Sequence, residues 1–312
     1  MSKNPLVSIL VAAFNHEKFV QASLQSIIDQ NYQNIELWIL DDCSVDNTAG
    51  KIREMVSVCK ERFTNFNFSC HKKNHGVTFT LNEMLPKLNG KYVCFFASDD
   101  VMEKDRISIQ VKTFEQLNKS SSKVAMVWSN AQPIDATGKK TFFRPLKTDQ
   151  YMVAPKLALS TNDLSSQENY FLLLNKNQFY PAPTMMWRAN VFKQIGKFDE
   201  NVGLEDFDVL LRFFRAKQKA FYIDEKLIRY RWHGANTVVK YRDKSVADLF
   251  YLYERERQYC VKNNLLSQWQ PAYKNFLWGL ARRDLLLRFV WLWQRGFGVF
   301  VIKKLLHFPI DS

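Results

Sequence analysis

The sequence predicts an α/β fold: a mostly parallel central sheet with helices on both faces, followed by a C-terminal helical extension. Three observations carry this prediction. Strand-like and helix-like segments alternate from Leu6 to Ser129 at the period of βαβ units. The first segment, Leu6–Ala13, is a continuous apolar run that suits a strand buried on both faces. Acidic pairs follow the second and fourth strand-like segments, at the edge where open parallel sheets take their ligands.

The elements follow in order. After Leu6–Ala13, His16–Gln30 has helical spacing at Phe19, Leu24, Ile27 and Ile28. Asn34–Leu40 reads as a strand ending in Asp41-Asp42, and Asp46–Lys60 as one helix capped by Ser44 or Asp46. Asn67–His71 is a short strand and Thr78–Leu88 a helix. Lys91–Phe96 is a strand ending at Ser98-Asp99-Asp100, Glu103–Leu117 a helix and Val124–Ser129 a strand. Beyond Asn130 the alternation stops. Asp135-Ala136-Thr137-Gly138 signals a turn between two strands, and 147–161 is poorly patterned, as a loop would be. Asp163–Asn175 reads as a helix, Thr184–Trp187 as a strand, Asn190–Ile195 and Leu204–Ala216 as helices, and Ala220–Trp232 as one or two strands. Everything from Asp243 onward reads as helix.

Composition narrows the function. A chain of 312 residues that is 46% hydrophobic can bury a full core, which excludes a disordered protein. The net charge of +13 points to an acidic partner, whether phosphate, nucleic acid or an anionic membrane. The excess is uneven: residues 240–312 hold 13 Lys+Arg against 6 Asp+Glu, more than half of it. Cys43, Cys59, Cys70, Cys94 and Cys260 form no CxxC pair, so a zinc ribbon is disfavoured and a reducing compartment is expected. The first apolar run is too short for a signal peptide, and Arg288 and Arg295 interrupt the best transmembrane candidate.

Three acidic clusters could carry chemistry. Asp41-Asp42 or Asp99-Asp100 alone reads best as a helix N-cap. Two such pairs at one sheet edge shift the balance, because adjacent carboxylates repel unless a cation or a donor-rich ligand lies between them. The third cluster, Glu205-Asp206-Phe207-Asp208, opens a helix and reads either as a dipole-compensating first turn or as the seat of a general base. Arg229-Tyr230-Arg231-Trp232-His233, at a strand end, could set a neutral imidazole on a metal and a guanidinium on phosphate.

In this order the motifs resemble glycosyltransferase family 2. Val7–Asn15 is similar to its opening strand, and Ile39–Thr48 to its Asp-Asp-x-Ser-x-Asp-x-Thr nucleotide motif. Asn74-His75-Gly76, with Asn82 and Gly90, resembles its Asn-x-Gly…Asn…Gly segment. Phe95–Asp100 stands where the family keeps its Asp-x-Asp metal motif. Phe198-Asp199-Glu200 with Glu205-Asp206, and Tyr230-Arg231-Trp232-His233, complete the series. The match runs from about Pro5 to about Thr237, and the motif order makes it specific. Ala97 stands where the family usually has Asp, and Leu81 where relatives often have Arg.

The resemblance implies a GT-A fold, Rossmann-like in its nucleotide-binding half, over residues 1–239, with 240–312 as a helical, basic and aromatic extension. It implies an inverting, metal-dependent enzyme that moves a sugar from a nucleotide-sugar, a UDP-sugar first, to a hydroxyl of a saccharide or lipid-linked acceptor. The pathway implied is synthesis of bacterial surface polysaccharide, lipopolysaccharide or capsule. Asp206 would be the catalytic base and Glu205 an acceptor or donor-sugar contact. Ala13, Asn15, Glu17, Asp41, Asn74, Gly76, Asp99 and Arg231 would line the donor side. Asp99, Asp100 and His233 would hold Mg2+ or Mn2+.

The extension interleaves Arg288, Arg295 and Lys303 with Trp291, Trp293, Phe297 and Phe300. Helices packed on the catalytic domain and an interfacial membrane contact through 270–306 fit equally. The expected location is the cytoplasm, with the inner face of the cytoplasmic membrane as the site of any such contact, and no nucleic acid is expected as partner. Two other classes stay open. A nucleotidyltransferase would normally carry a Gly-rich loop after the first strand, where this chain has Ala12-Ala13-Phe14-Asn15-His16. A non-catalytic module for anionic membranes or nucleic acid would leave the acidic clusters unexplained.

Overall fold

The computed structural model describes residues 4–119, 124–141, 162–176, 182–233 and 242–281. Its centre is an eight-stranded sheet. The strands are β1 (Val7–Ala13), β2 (Ile35–Asp41), β3 (Asn65–Cys70), β4 (Tyr92–Ala97), β5 (Val101–Met102), β6 (Val124–Ile134), β7 (Met185–Arg188) and β8 (Lys219–Arg231), in the order β3-β2-β1-β4-β7-β6-β8-β5. The half built from β1, β2, β3 and β4 is entirely parallel. β7 runs antiparallel to both its neighbours, β6 and β8 pair in parallel, and β5 closes the edge antiparallel to β8. The sheet is therefore mixed, with its four adjacent parallel strands confined to the first half.

β1 is central because it is apolar on both faces. Val7, Ile9, Leu10 and Val11 are fully buried, and each contributes roughly 1.5–3 kcal/mol relative to an exposed side chain. Its one polar member, Ser8, donates its hydroxyl to Glu36 Oε1 at 2.5 Å. Burial acts against the Glu36 charge. Hydrogen bonds from Ser8 and Asn89 outweigh it, and the carboxyl is held below its usual range. Gly90 closes this cluster by donating its N–H to Ser8 Oγ at 3.0 Å. A Cβ at Gly90 would lie 2.3 Å from Ser8 Oγ and 2.7 Å from the Ser8 backbone nitrogen. Gly90→Ala is expected to cost about 1–3 kcal/mol in denaturant unfolding, the usual cost of overpacking. A loss below that range would show that the strand yields here.

The flanking helices are α1 (Val20–Ile28), α2 (Thr48–Arg53), α3 (Val56–Arg62), α4 (Val77–Met84), α5 (Arg106–Lys119), α6 (Ser166–Lys176), α7 (Phe192–Ile195) and α8 (Glu205–Arg215). The single helix expected over Asp46–Lys60 is two, because the chain turns at Met55, whose backbone (φ −101°, ψ 0°) leaves helical geometry. β6 runs to Ile134, beyond the Ser129 end expected for it, and the Asp135–Gly138 turn returns the chain to an antiparallel bridge between Ile134 and Lys140. Ala220–Trp232 resolves into one strand, with register shifts opposite Ser129–Ala131. The segment 147–161 lies outside the described residues.

α9 (Arg242–Lys262) and α10 (Leu266–Ala281) belong to the same hydrophobic core as the sheet. Leu252, Cys260, Ala272 and Leu277 are fully buried, and buried Trp269 donates its indole N–H to the Tyr253 carbonyl at 3.1 Å. The boundary expected at 239/240 falls outside the described residues, as do Arg288, Arg295, Lys303 and the aromatics around them. Among the described residues, no helix is long and apolar enough to cross a membrane.

Candidate active site

The carboxyl ends of β1, β2 and β4 converge at one edge of the sheet. The loop after β1 and the loop after β2 are bound to each other. Asp42 donates its N–H to the Ala13 carbonyl at 2.8 Å, and the Asn15 N–H reaches Ser44 Oγ at 2.9 Å. Asn15 Oδ1 accepts the Val45 N–H at 2.9 Å, while Glu17 Oε2 accepts the Asn47 N–H at 2.9 Å. Asp41, buried at the end of β2, accepts both the N–H and the hydroxyl of Ser44, at 2.9 and 2.6 Å. Asn15 (φ 55°) and Cys43 (φ 62°) both adopt left-handed backbone, a costly conformation for such residues that concentrates at functional loops. Asn74 and Gly76 gather on Asp42. The Asn74 side chain donates to the Asp42 carbonyl at 3.0 Å, and the Gly76 N–H to Asp42 Oδ2 at 2.7 Å. Gly76 sits at φ 90°, which explains its glycine.

The second part of the site is built on Ser98-Asp99-Asp100. Asp99 Oδ2 lies 2.9 Å from His233 Nε2 and 3.8 Å from His16 Nε2. Burial works against the Asp99 charge. The hydrogen bond to His233 and the charges of both histidines outweigh it, and Asp99 is held below the usual carboxylate range. Asp100 goes the other way. It is fully buried beside a charged neighbour, and both effects push its proton affinity well up. The Arg231 N–H donates to Asp100 Oδ1 at 2.7 Å, whereas Asp100 Oδ2 is buried with no hydrogen-bond partner. The Arg231 guanidinium is buried, donates to the carbonyls of Asp99 and Asp135 at 2.7 and 3.1 Å, and lies 4.9 Å over the Phe19 ring. His16, Asp99 and His233 offer ligand atoms all within 4.8 Å of one another. Burial keeps His16 below its usual pKa and so favours the neutral, ligating form. The buried Asp99 carboxylate with the imidazoles of His16 and His233 is a donor set that fits a divalent cation.

The third part is the first turn of α8. Glu205 and Asp206 sit side by side, and Asp206 Oδ1 accepts the Phe207 N–H at 2.7 Å. Burial raises the affinity of both for protons, and Asp206 adds to the effect on Glu205, which is pushed up to about 8. Tyr230 joins the two acidic clusters. Burial drives its hydroxyl pKa well up, and the charges of Asp100, Asp99, Asp206 and Glu205 all add to the rise.

A stability signature follows. An unfolded Glu205 loses its proton near 4.5, and the folded one near 8. Between those values the folded state binds more protons, so this group takes stability away as pH rises. Glu205→Gln is expected to raise the melting temperature at pH 7.5 relative to wild type, by the equivalent of roughly 1–3 kcal/mol. At pH 4.5 the difference should vanish; a pH-independent difference would count against the assignment.

The residues the sequence nominated fall into three groups: Ala13, Asn15, Glu17, Asp41, Asn74 and Gly76 in the loops around β1 and β2, Asp99, Asp100, Arg231 and His233 after β4 and at the end of β8, and Glu205 and Asp206 on α8. The structure adds His16, Ser98, Phe19 and Tyr230. His16 carried no signal beyond its place after Asn15 in the loop that follows β1. Asn82 proves to be structural: it brackets Phe198, donating to its carbonyl and accepting its N–H, each at 2.9 Å.

The sequence model of the glycosyl transferase family 2 matches residues 8–196. An uncharacterized glycosyltransferase of Rickettsia typhi is 28% identical over 236 residues, which are 75% of this chain and 66% of that protein. The chain thus spans slightly less than two thirds of that relative's length. The fold is similar to that of S. aureus TarS 1-349 in complex with UDP-GlcNAc (TM-score 0.58, 16% identity, 98% of this chain and 93% of that one). It is also similar to the mannosyltransferase PcManGT from Pyrobaculum calidifontis in complex with GDP-Man and Mn2+ (TM-score 0.57, 12% identity, 96% and 84%).

Proposed function

The chain belongs to glycosyltransferase family 2, and on that premise we propose that it is an inverting transferase with a nucleotide-sugar donor, a UDP-sugar first. The acceptor is a hydroxyl of a saccharide or lipid-linked saccharide, and the pathway is bacterial surface polysaccharide synthesis, lipopolysaccharide or capsule. One observation carries this reading: at the sheet edge that also bears Asp41, His16, Asp99 and His233 bring three metal-type ligand atoms within 4.8 Å of one another.

The roles follow from position. Asp41 and the backbone of Ala13 and Asn15, with Glu17, Asn74 and Gly76 behind them, form the nucleoside side. Asp99 takes the ribose or the cation, Asp100 and His233 the cation. Bound there, a divalent ion offsets the negative charge that builds on the leaving diphosphate. The Arg231 guanidinium adds positive charge on the same side. Asp206 accepts the proton of the acceptor hydroxyl as that oxygen attacks the anomeric carbon from the face opposite the leaving group. Its raised proton affinity makes it a better base than a solvated aspartate. Glu205, protonated near neutral pH, donates a hydrogen bond to a sugar hydroxyl. Residues 270–277 pack in the core through Ala272, Phe276 and Leu277, so within the basic and aromatic stretch 270–306 the later part is the one that suits peripheral contact with an anionic membrane, where a lipid-linked acceptor would lie.

Calorimetric titration of the full chain with UDP, GDP and dTDP, with Mn2+ present, tests the donor side. Binding of UDP ahead of the other two is expected, and Asp41→Ala should weaken it. Absence of binding by all three would remove the nucleotide reading.

A further inference from the structure

Resting on the divalent-cation reading above, we propose that His16 is a protein ligand of that cation beside Asp99 and His233, and that this second imidazole gives the site a preference for Mn2+ over Mg2+. The sequence nominated Asp99, Asp100 and His233, a mainly oxygen set. The structure adds a second imidazole, 3.8 Å from the same carboxylate oxygen that His233 meets.

The geometry is specific. The Nε2 atoms of His16 and His233 both address Asp99 Oδ2, at 3.8 and 2.9 Å. Two ligands of one first-row ion can stand no more than about 4.2 Å apart, given metal–ligand bonds of about 2.1 Å. Both separations lie inside that limit; the two imidazole nitrogens lie within 4.8 Å of each other, so binding draws the rings together by no more than about 0.6 Å. The rings meet edge to face, with centroids 5.7 Å apart, so neither blocks the other's nitrogen. His16 Nδ1 lies 2.8 Å from Ser98 Oγ. When Nδ1 carries the proton and donates it to Ser98, the Nε2 lone pair is free and turned toward Asp99, the arrangement by which an outer hydrogen bond orients a ligating histidine. The backbone holds the ring in place from behind. The His16 N–H donates to Thr48 Oγ1 at 2.7 Å, and Phe19 packs against both imidazoles. Imidazole nitrogens suit transition ions, whereas Mg2+ is held by oxygen ligands, so a second histidine shifts selectivity toward Mn2+.

The test uses the full chain and the metal ions alone. Mn2+ binding is measured by electron paramagnetic resonance, and Mg2+ by competition. Wild type should prefer Mn2+, and the spin-echo spectrum of bound Mn2+ should report two imidazole nitrogens. His16→Ala should weaken Mn2+ by at least about tenfold, reduce the count to one nitrogen and change Mg2+ affinity little, so that the preference collapses. Ser98→Ala should weaken Mn2+ by about tenfold without changing the nitrogen count. A single nitrogen in wild type, or unchanged Mn2+ affinity in His16→Ala, overturns the role of His16 while leaving the cation reading intact. Failure of wild type to bind Mn2+ overturns both. The wild-type nitrogen count decides the matter even if His16→Ala does not fold.

Discussion

Asp206→Asn is expected to lower sugar transfer by about 10²–10⁴-fold, the range of a lost general base, with nucleotide affinity close to wild type. The separation of effects follows from position. Asp206 opens α8, whereas the nucleoside side is made by the loops after β1 and β2. The backbone hydrogen bond from Phe207 can still be accepted by the asparagine oxygen, so the helix start should persist. Only the proton acceptor is removed. Because burial raises the proton affinity of Asp206, the wild-type rate should rise with pH as the carboxyl ionises, and the variant should lose that limb. Steady-state transfer against pH, set beside calorimetric nucleotide binding, checks both parts. Near-wild-type turnover would move the base elsewhere.

Asp208→Asn should destabilise the fold by about 2–4 kcal/mol, in the lower part of the range for breaking a buried ion pair because its partners are partly solvated. Asp208 is fully buried. It accepts Arg212 at 2.6 Å from one side and Arg255 of α9 at 2.6 Å from the other. Arg255 also pairs with Asp199 at 3.6 Å and with Glu256 at 2.9 Å, and Glu256 in turn holds Arg215 at 3.0 Å. Asp248 of α9 accepts the Gly203 N–H at 2.8 Å, just ahead of the first turn of α8. α9 thus braces the helix that carries Glu205 and Asp206. With the Asp208 charge gone, two guanidinium groups lose their common counterion and α8 loses its anchor. Urea unfolding should report the loss in stability, and transfer should fall as well, since a small displacement of a base is costly. A variant of wild-type stability would mean that the network is solvated and α9 is not a brace.

The parallel half of the sheet was legible because β1, β2 and β4 are buried on both faces and therefore apolar but for Ser8, Glu36 and Asp41. Element ends were less legible. The break at Met55 has no proline or glycine to announce it, and β5 is a two-residue strand whose partner lies more than a hundred residues away. The carboxylates of the site were legible as pairs after strands, an arrangement that helix capping alone explains poorly. His16 was not, because one imidazole in a loop acquires meaning only when folding sets it beside Asp99 and His233. The bracing network of Asp208, Arg255 and Glu256 was hidden for a related reason: on α8 and α9 alone, these residues read as ordinary helix charges.

The net charge of +13 calls for an acidic partner, and the proposed nucleotide-sugar donor supplies one in its diphosphate. Release of nucleoside diphosphate from UDP-, GDP- and dTDP-sugars by the full chain, with and without Mn2+, tests that account most directly. The account predicts Mn2+-dependent release from at least one donor, UDP-sugars first, and its loss in Asp206→Asn when acceptor is present. No release from any donor, or release indifferent to both Mn2+ and Asp206, would contradict it.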